Sequence, residues 1–239
     1  MGLSPEQDIF TQADQQTRKA ALGRTSYFRA PMFNSSHANQ ADETRTAGRF
    51  LLWIDEVGGY LVCQGDEITL GQPETSHRVD IPILGDLSKR HVKFQRDAEG
   101  YAIAVRQPVK LDGRTVSDNT SLPEECELTI GRGVRFQFSR PHPFSRSARL
   151  MPLSRHRTQP TTDGVLLMAE SLVLGPQETS HIVCPRWPFD LVLFRQGEEL
   201  WCRGAGELVI DGKPCDGEGR LTLDSHVSGD YFSLSLEAV

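Results

Sequence analysis

The apolar and polar positions of this chain fall mostly into short strands. Residues 49–55 are apolar through Phe50-Leu51-Leu52-Trp53-Ile54, Gly58-Gly59 marks a turn, and residues 60–63 return as a second strand. Ile68-Thr69-Leu70 stops at Gly71. A polar loop follows, then the alternating Val79-Asp80-Ile81-Pro82-Ile83, then a second polar turn ending in Leu87-Ser88-Lys89-Arg90-His91. Residues 92–95 and 101–105 flank a turn at 97–100, Leu111-Asp112-Gly113-Arg114 is a hairpin signal, and residues 128–130 and 134–138 close the set. Every element predicted between 49 and 141 is a strand, so the expectation is an antiparallel sheet whose loops present side chains at one end.

Helical periodicity occurs at the N-terminus. Ser4, Pro5 and Gln7 form a capping pattern, Ile9, Phe10, Ala13, Thr17, Ala20 and Ala21 share a face, and Gly23 can end the helix. Such a helix packs on its own domain, joins a sister chain in an oligomer, or docks another protein. Residues 25–48 are polar and predict a flexible linker, in which Thr25, Thr44 and Thr46 are candidate regulatory sites.

The pattern breaks again at 139–162. Four prolines interrupt it, Arg140, Arg146, Arg149, Arg155 and Arg157 make it basic, and it has no acidic residue. It predicts an interdomain linker that grips the protein's own acidic surface or meets an acidic partner or nucleic acid. Beyond it the first domain repeats. Leu70-Gly71-Gln72-Pro73-Glu74-Thr75-Ser76-His77 returns as Leu174-Gly175-Pro176-Gln177-Glu178-Thr179-Ser180-His181, a separation of 104 residues (175 − 71 = 104). Past this loop the separation falls to about 100, which sets Ser88, Lys89 and His91 against Pro188, Phe189 and Leu191; later Phe136 meets Phe232. The second copy shows no match to the strand at 50–54. The expected division is therefore 1–48 helix and linker, 49–141 first domain, 142–162 basic linker, and 163–239 a degenerate second copy.

Composition narrows the function classes. With 239 residues there is ample core, and a net charge of −6 makes the chain as a whole a poor nucleic-acid binder. No stretch approaches 18 apolar residues and no secretory apolar segment opens the chain, so the expectation is a cytoplasmic protein without a membrane span. Cys63, Cys126, Cys184, Cys202 and Cys215 are scattered and odd in number, and read as free, core-filling thiols rather than a metal or disulfide set. Ser88 and His91 lack a Gly-x-Ser-x-Gly elbow and an evident acidic third member. No Walker loop or HExxH is present either, so no enzyme, catalytic residue, metal or cofactor is predicted.

Three features together resemble the forkhead-associated (FHA) domain, a phosphothreonine-reading β-sandwich. They are the strand ending in Gly71, the Ser-[Arg/Lys]-x-His pattern at Ser88, Lys89 and His91, and Asp112-Gly113 followed by Leu128-Thr129-Ile130-Gly131 and Phe136-Gln137-Phe138. The resemblance covers about residues 49–141. It implies an all-β chain of two FHA-like sandwiches with an N-terminal helix, acting as a phosphopeptide-binding signalling adaptor. The partner would be a phosphorylated protein, the substrate of a Ser/Thr kinase; a phosphate-independent scaffold is the alternative. The implied phosphopeptide contacts are Gln72, Arg78, Ser88, Lys89 and Gln107, with Gly71 and His91 structural in the loop. Two of these depart from the family. Gln72 stands where the family has an Arg, and Gln107, followed by Pro108, stands where it has an Asn; Arg78 can substitute for the missing cation. Phosphate carries about −1.5 to −2 charges, so a missing Arg removes a charge-assisted hydrogen bond of roughly 1.5–3 kcal/mol.

Overall fold

The computed structural model describes residues 48–74 and 79–239. The predicted helix at 1–24, the segment up to 47, and Arg78 lie outside the described residues. All regular structure among the described residues is β. The first half contains β1 (Arg49–Ile54), β2 (Gly58–Gln64), β3 (Glu67–Gly71), β4 (Ile81–Leu84), β5 (Val92–Arg96), β6 (Tyr101–Val105), β7 (Val109–Leu111), β8 (Arg114–Val116), β9 (Asn119–Leu122), β10 (Glu125–Ile130) and β11 (Val134–Ser139). Then follow β12 (Ala148–Pro152), β13 (Arg157–Thr158), β14 (Gly164–Met168), β15 (Ser171–Gly175), β16 (Ile182–Val183), β17 (Leu191–Gln196), β18 (Glu199–Ile210), β19 (Lys213–Leu221), β20 (His226–Gly229) and β21 (Phe232–Ala238). The turn predicted at Gly58-Gly59 falls one step earlier, and both glycines open β2.

The strands form two sheets. The larger runs β16-β15-β17-β18-β20-β21-β1-β2-β14-β12-β11-β10-β7-β8, with β19 paired to β18 off that path; the smaller runs β13-β4-β3-β5-β6-β9. Strands β1, β2 and β14 read as almost unbroken apolar runs because both of their faces are covered. Leu51, Leu61, Cys63, Val165 and Leu167 face one core, together with Ile68, Phe94 and Ile103 of the smaller sheet and Phe138 and Leu150. Phe50, Leu52, Tyr60, Val62, Leu166 and Met168 face a second core, completed by Leu172, Leu174, Leu191, Leu193 and Leu234. Each such side chain contributes about 1.5–3 kcal/mol by leaving water. These three strands are thus a wall shared by both halves of the chain.

The repeat is present in the backbone, with registers that correct the sequence alignment. β2 and β14 run parallel with Tyr60 opposite Gly164, the separation of 104 read from the sequence (164 − 60 = 104). Beyond the loop, Leu70 pairs with Val92, and its counterpart Leu174 pairs with Leu191, so the separation there is 99 (191 − 92 = 99) rather than 100. Burial shows the same phase: Val92 and Phe94 are buried, as are Leu191 and Leu193. The two hairpins at Asp112 and Asp211 match in detail. Each aspartate has positive φ and precedes a positive-φ glycine, as the primed turn requires. The Asp112 carboxylate accepts from the Glu127 N–H at 2.8 Å, and the Asp211 carboxylate from the His226 N–H at 2.8 Å. At the end of the chain, Leu128 pairs with Phe136 and Val227 with Leu234, so Phe136 corresponds to Leu234 and not to Phe232.

The segment predicted as a linker, 142–162, carries β12 and β13. β12 pairs with β11 on one side and β14 on the other, and β13 pairs with β4. Relative to β14 it occupies the place that β1 holds beside β2, so the second copy does have a first strand. The strands are exchanged: β1 lies against β21 of the second half, and β12 against β11 of the first. Prolines that read as breaks punctuate short strands here. Arg146 pairs with Glu170, and Arg149 donates to Ser139 Oγ at 2.9 Å and to the Ser180 carbonyl at 3.3 Å, so these arginines grip the protein itself. Among the described residues, no helix is long and apolar enough to cross a membrane.

Candidate functional site

The candidate site lies at one end of the smaller sheet, where three loops meet. β3 ends at Gly71, and the next residue's N–H donates to the Ser88 carbonyl at 3.1 Å. Glycine is required at 71 by space. A Cβ there would sit 2.1 Å from the Lys89 carbonyl oxygen, so any other residue would push the 85–91 loop away from β3. The His91 N–H donates to the Leu70 carbonyl at 2.9 Å, and the Arg106 N–H donates to the His91 carbonyl at 3.2 Å.

The His91 side chain completes the junction. It is buried, and its Nδ1 accepts from the Ser88 N–H at 3.2 Å. With Nδ1 an acceptor, Nε2 carries the proton and points it at the Pro108 carbonyl, 3.4 Å away. Desolvation by burial holds the imidazole below its ordinary pKa, partly offset by the backbone bond to Pro108. The neutral ring thus connects the 85–91 loop to the 106–108 loop, and its role here is architectural.

Around this junction the predicted contacts spread as follows. Gln72 and Gln107 are exposed, one beside the Ser88 carbonyl and the other beside the Pro108 carbonyl that His91 engages. Ser88 Oγ is buried with no hydrogen-bond partner among the described residues. A hydroxyl left in that state has hydrogen-bonding capacity that the described residues do not use. Lys89 Nζ forms an ion pair with Glu74. The lysine side chain is 69% exposed and the glutamate 14%, so the cation stands at the mouth and the carboxylate lies beneath it. Glu74 was not among the residues singled out from the sequence. No local pattern marks it in the sequence, where it is a lone acidic residue two positions after Gln72.

The second copy has no equivalent of this arrangement. At the corrected separation of 99, Ser88, Lys89 and His91 correspond to Trp187, Pro188 and Asp190. Asp190 lies over Gly175, where a Cβ would come within 1.8 Å of its carboxylate oxygen.

The thiols belong to the core. Cys63, Cys126, Cys184 and Cys202 are buried and all five cysteines are free. Burial pushes the Cys126 and Cys184 thiols up to about 12 and Cys202 to about 11, so none of these is a ready nucleophile. Among the described residues, no group of three His, Cys, Asp or Glu side chains is placed to hold a metal. No family model matches this chain, and no curated protein matches it.

Proposed function

We propose that this chain is a phosphothreonine-peptide-binding adaptor of the FHA type, acting in the cytoplasm through the loops at Gln72, Ser88, Lys89 and Gln107. The observation that carries the reading is the buried, unpartnered Ser88 Oγ beside the exposed cation of Lys89, on loops fixed by Gly71 and His91. A phosphate calls for a hydroxyl donor and a cation, and on this reading the sequence neighbours Ser88 and Lys89 would supply them. On this reading the two halves are FHA-like sandwiches sharing a wall, and the second has lost the pocket chemistry. Arg78 belongs to the same loop as Gln72 and is the candidate second cation.

One observation favours the alternative, a phosphate-independent scaffold. Lys89 is already engaged by Glu74, and Gln72 cannot supply the bidentate contact of an arginine. The two readings separate in a titration of the chain with a degenerate phosphothreonine peptide library and its unphosphorylated counterpart. Selective retention of phosphorylated sequences supports the adaptor, and equal binding of both libraries rejects it in favour of the scaffold.

A further inference from the structure

On the opposite half of the molecule, the tip of the β1–β2 hairpin and the β20–β21 turn enclose a cavity of about 300 Å³. Its floor is aromatic. Trp187 and Phe232 are buried with ring centroids 4.9 Å apart, and Phe189 meets Phe232 and Tyr231 edge-on at 6.3 and 6.5 Å. Tyr231 stands at the rim, 61% exposed, although a core would cover a ring of that size. The other walls carry Asp55, Glu56 and Asp230 against one cation, Arg186, which pairs with Glu56 at 2.6 Å. Asp55 and Asp230 make no ion pair among the described residues.

Aromatic faces present negative potential to a cation, and two unspent carboxylates add charge of the same sign. An anion would be repelled, and a purely apolar ligand would leave the carboxylates desolvated. A second depression of about 340 Å³ shares Asp55, Glu56 and Val57 with the first and adds Trp53 and Asp163, whose carboxylate accepts from the Gly59 N–H at 2.8 Å. The tip therefore borders two aromatic, acidic depressions, an arrangement that fits a chain segment with successive basic side chains better than one small cation. The loop supplying Trp187 is the counterpart of the Ser88-Lys89 loop in the first half.

We propose that this face binds arginine or lysine side chains of a basic segment of a partner protein. The inference stands apart from phosphopeptide binding in the first half. The test uses fluorescence anisotropy of a labelled Gly-Arg-Gly-Arg-Gly peptide, with Gly-Glu-Gly-Glu-Gly as counterpart, against the full chain. Binding of the arginine peptide alone is expected, weakened about 10-fold or more by Asp55→Asn with Asp230→Asn and by Tyr231→Ala. All three residues are exposed, so thermal melts should show the variants folded. A control, Glu198→Gln with Asp224→Asn, removes the same charge from exposed positions elsewhere and should leave affinity within about twofold. Equal weakening in the control would show bulk electrostatics and overturn the site. So would failure of the arginine peptide to bind, or unchanged binding in Tyr231→Ala.

Discussion

Acid should loosen this fold through His181. The ring is 1% exposed, its Nδ1 accepts from the Val173 N–H at 2.9 Å, and it stacks on His142 with centroids 5.7 Å apart. Burial pushes its pKa from 6.5 down to about 4, helped by the neighbouring His142 and Arg149, and the Val173 N–H donated to Nδ1 also favours the neutral ring. Because the folded value is depressed, the unfolded chain binds the proton first. Stability is therefore complete above pH 6.5 and drains away as the pH falls towards 4. Each pKa unit corresponds to about 1.4 kcal/mol, so linkage gives a loss of about 2.5 kcal/mol between pH 7 and pH 4.5 from this group alone. Urea unfolding at both pH values, for the natural chain and for His181→Asn, isolates it, since the carboxylates titrate equally in both. The natural chain should lose about 2.5 kcal/mol more than the variant over this range. Equal losses would refute the reasoning and show that His181 is solvated or already charged in the fold. The same ring fills a role that differs between the copies: the carboxylate of Asp80 accepts from the Thr69 N–H at 2.8 Å, where His181 accepts from the Val173 N–H.

Further outcomes follow from the same geometry. Glu74→Gln should free Lys89 and raise affinity for a selected phosphothreonine peptide a few-fold by calorimetry, with no gain for its unphosphorylated form. Gly71→Ala places a methyl 2.1 Å from the Lys89 carbonyl and should cost about 1–3 kcal/mol in thermal or urea unfolding, with loss of any peptide binding. Leu150→Ala should destabilise by about 2–5 kcal/mol, because β12 is core and not tether. A thiol reagent should modify Cys215 in the native chain and reach the four buried cysteines only on unfolding.

The strands with clean punctuation were legible in the sequence. Ile68-Thr69-Leu70-Gly71 and the Asp112-Gly113 hairpin stand where their local chemistry puts them. What the pattern could not carry was exchange between distant segments. β12 holds only Ala148 and Leu150 as fully buried anchors among arginine and proline, and its identity as a strand comes from β11 and β14, which lie on either side of it. The separation of 100 was one residue out because Val192 and Phe194 are as apolar as their neighbours Leu191 and Leu193. Only the pairing with β15 decides which set faces the core. In the candidate site, Gly71, Ser88 and His91 were singled out through the resemblance, and the close approach of the Lys89 carbonyl to Gly71 and the Ser88 N–H bond to His91 give two of those positions a local physical reason. Glu74 was not, since an ion pair to Lys89 across two loops has no local pattern.

The central claim rests on the Ser88 hydroxyl, and calorimetry on a single variant reaches it most directly. A phosphothreonine peptide selected by the natural chain should bind Ser88→Ala roughly 10- to 100-fold more weakly, while the unphosphorylated peptide binds both proteins equally poorly. Unchanged affinity of Ser88→Ala for the phosphorylated peptide would contradict the account and leave these loops as a structural junction only.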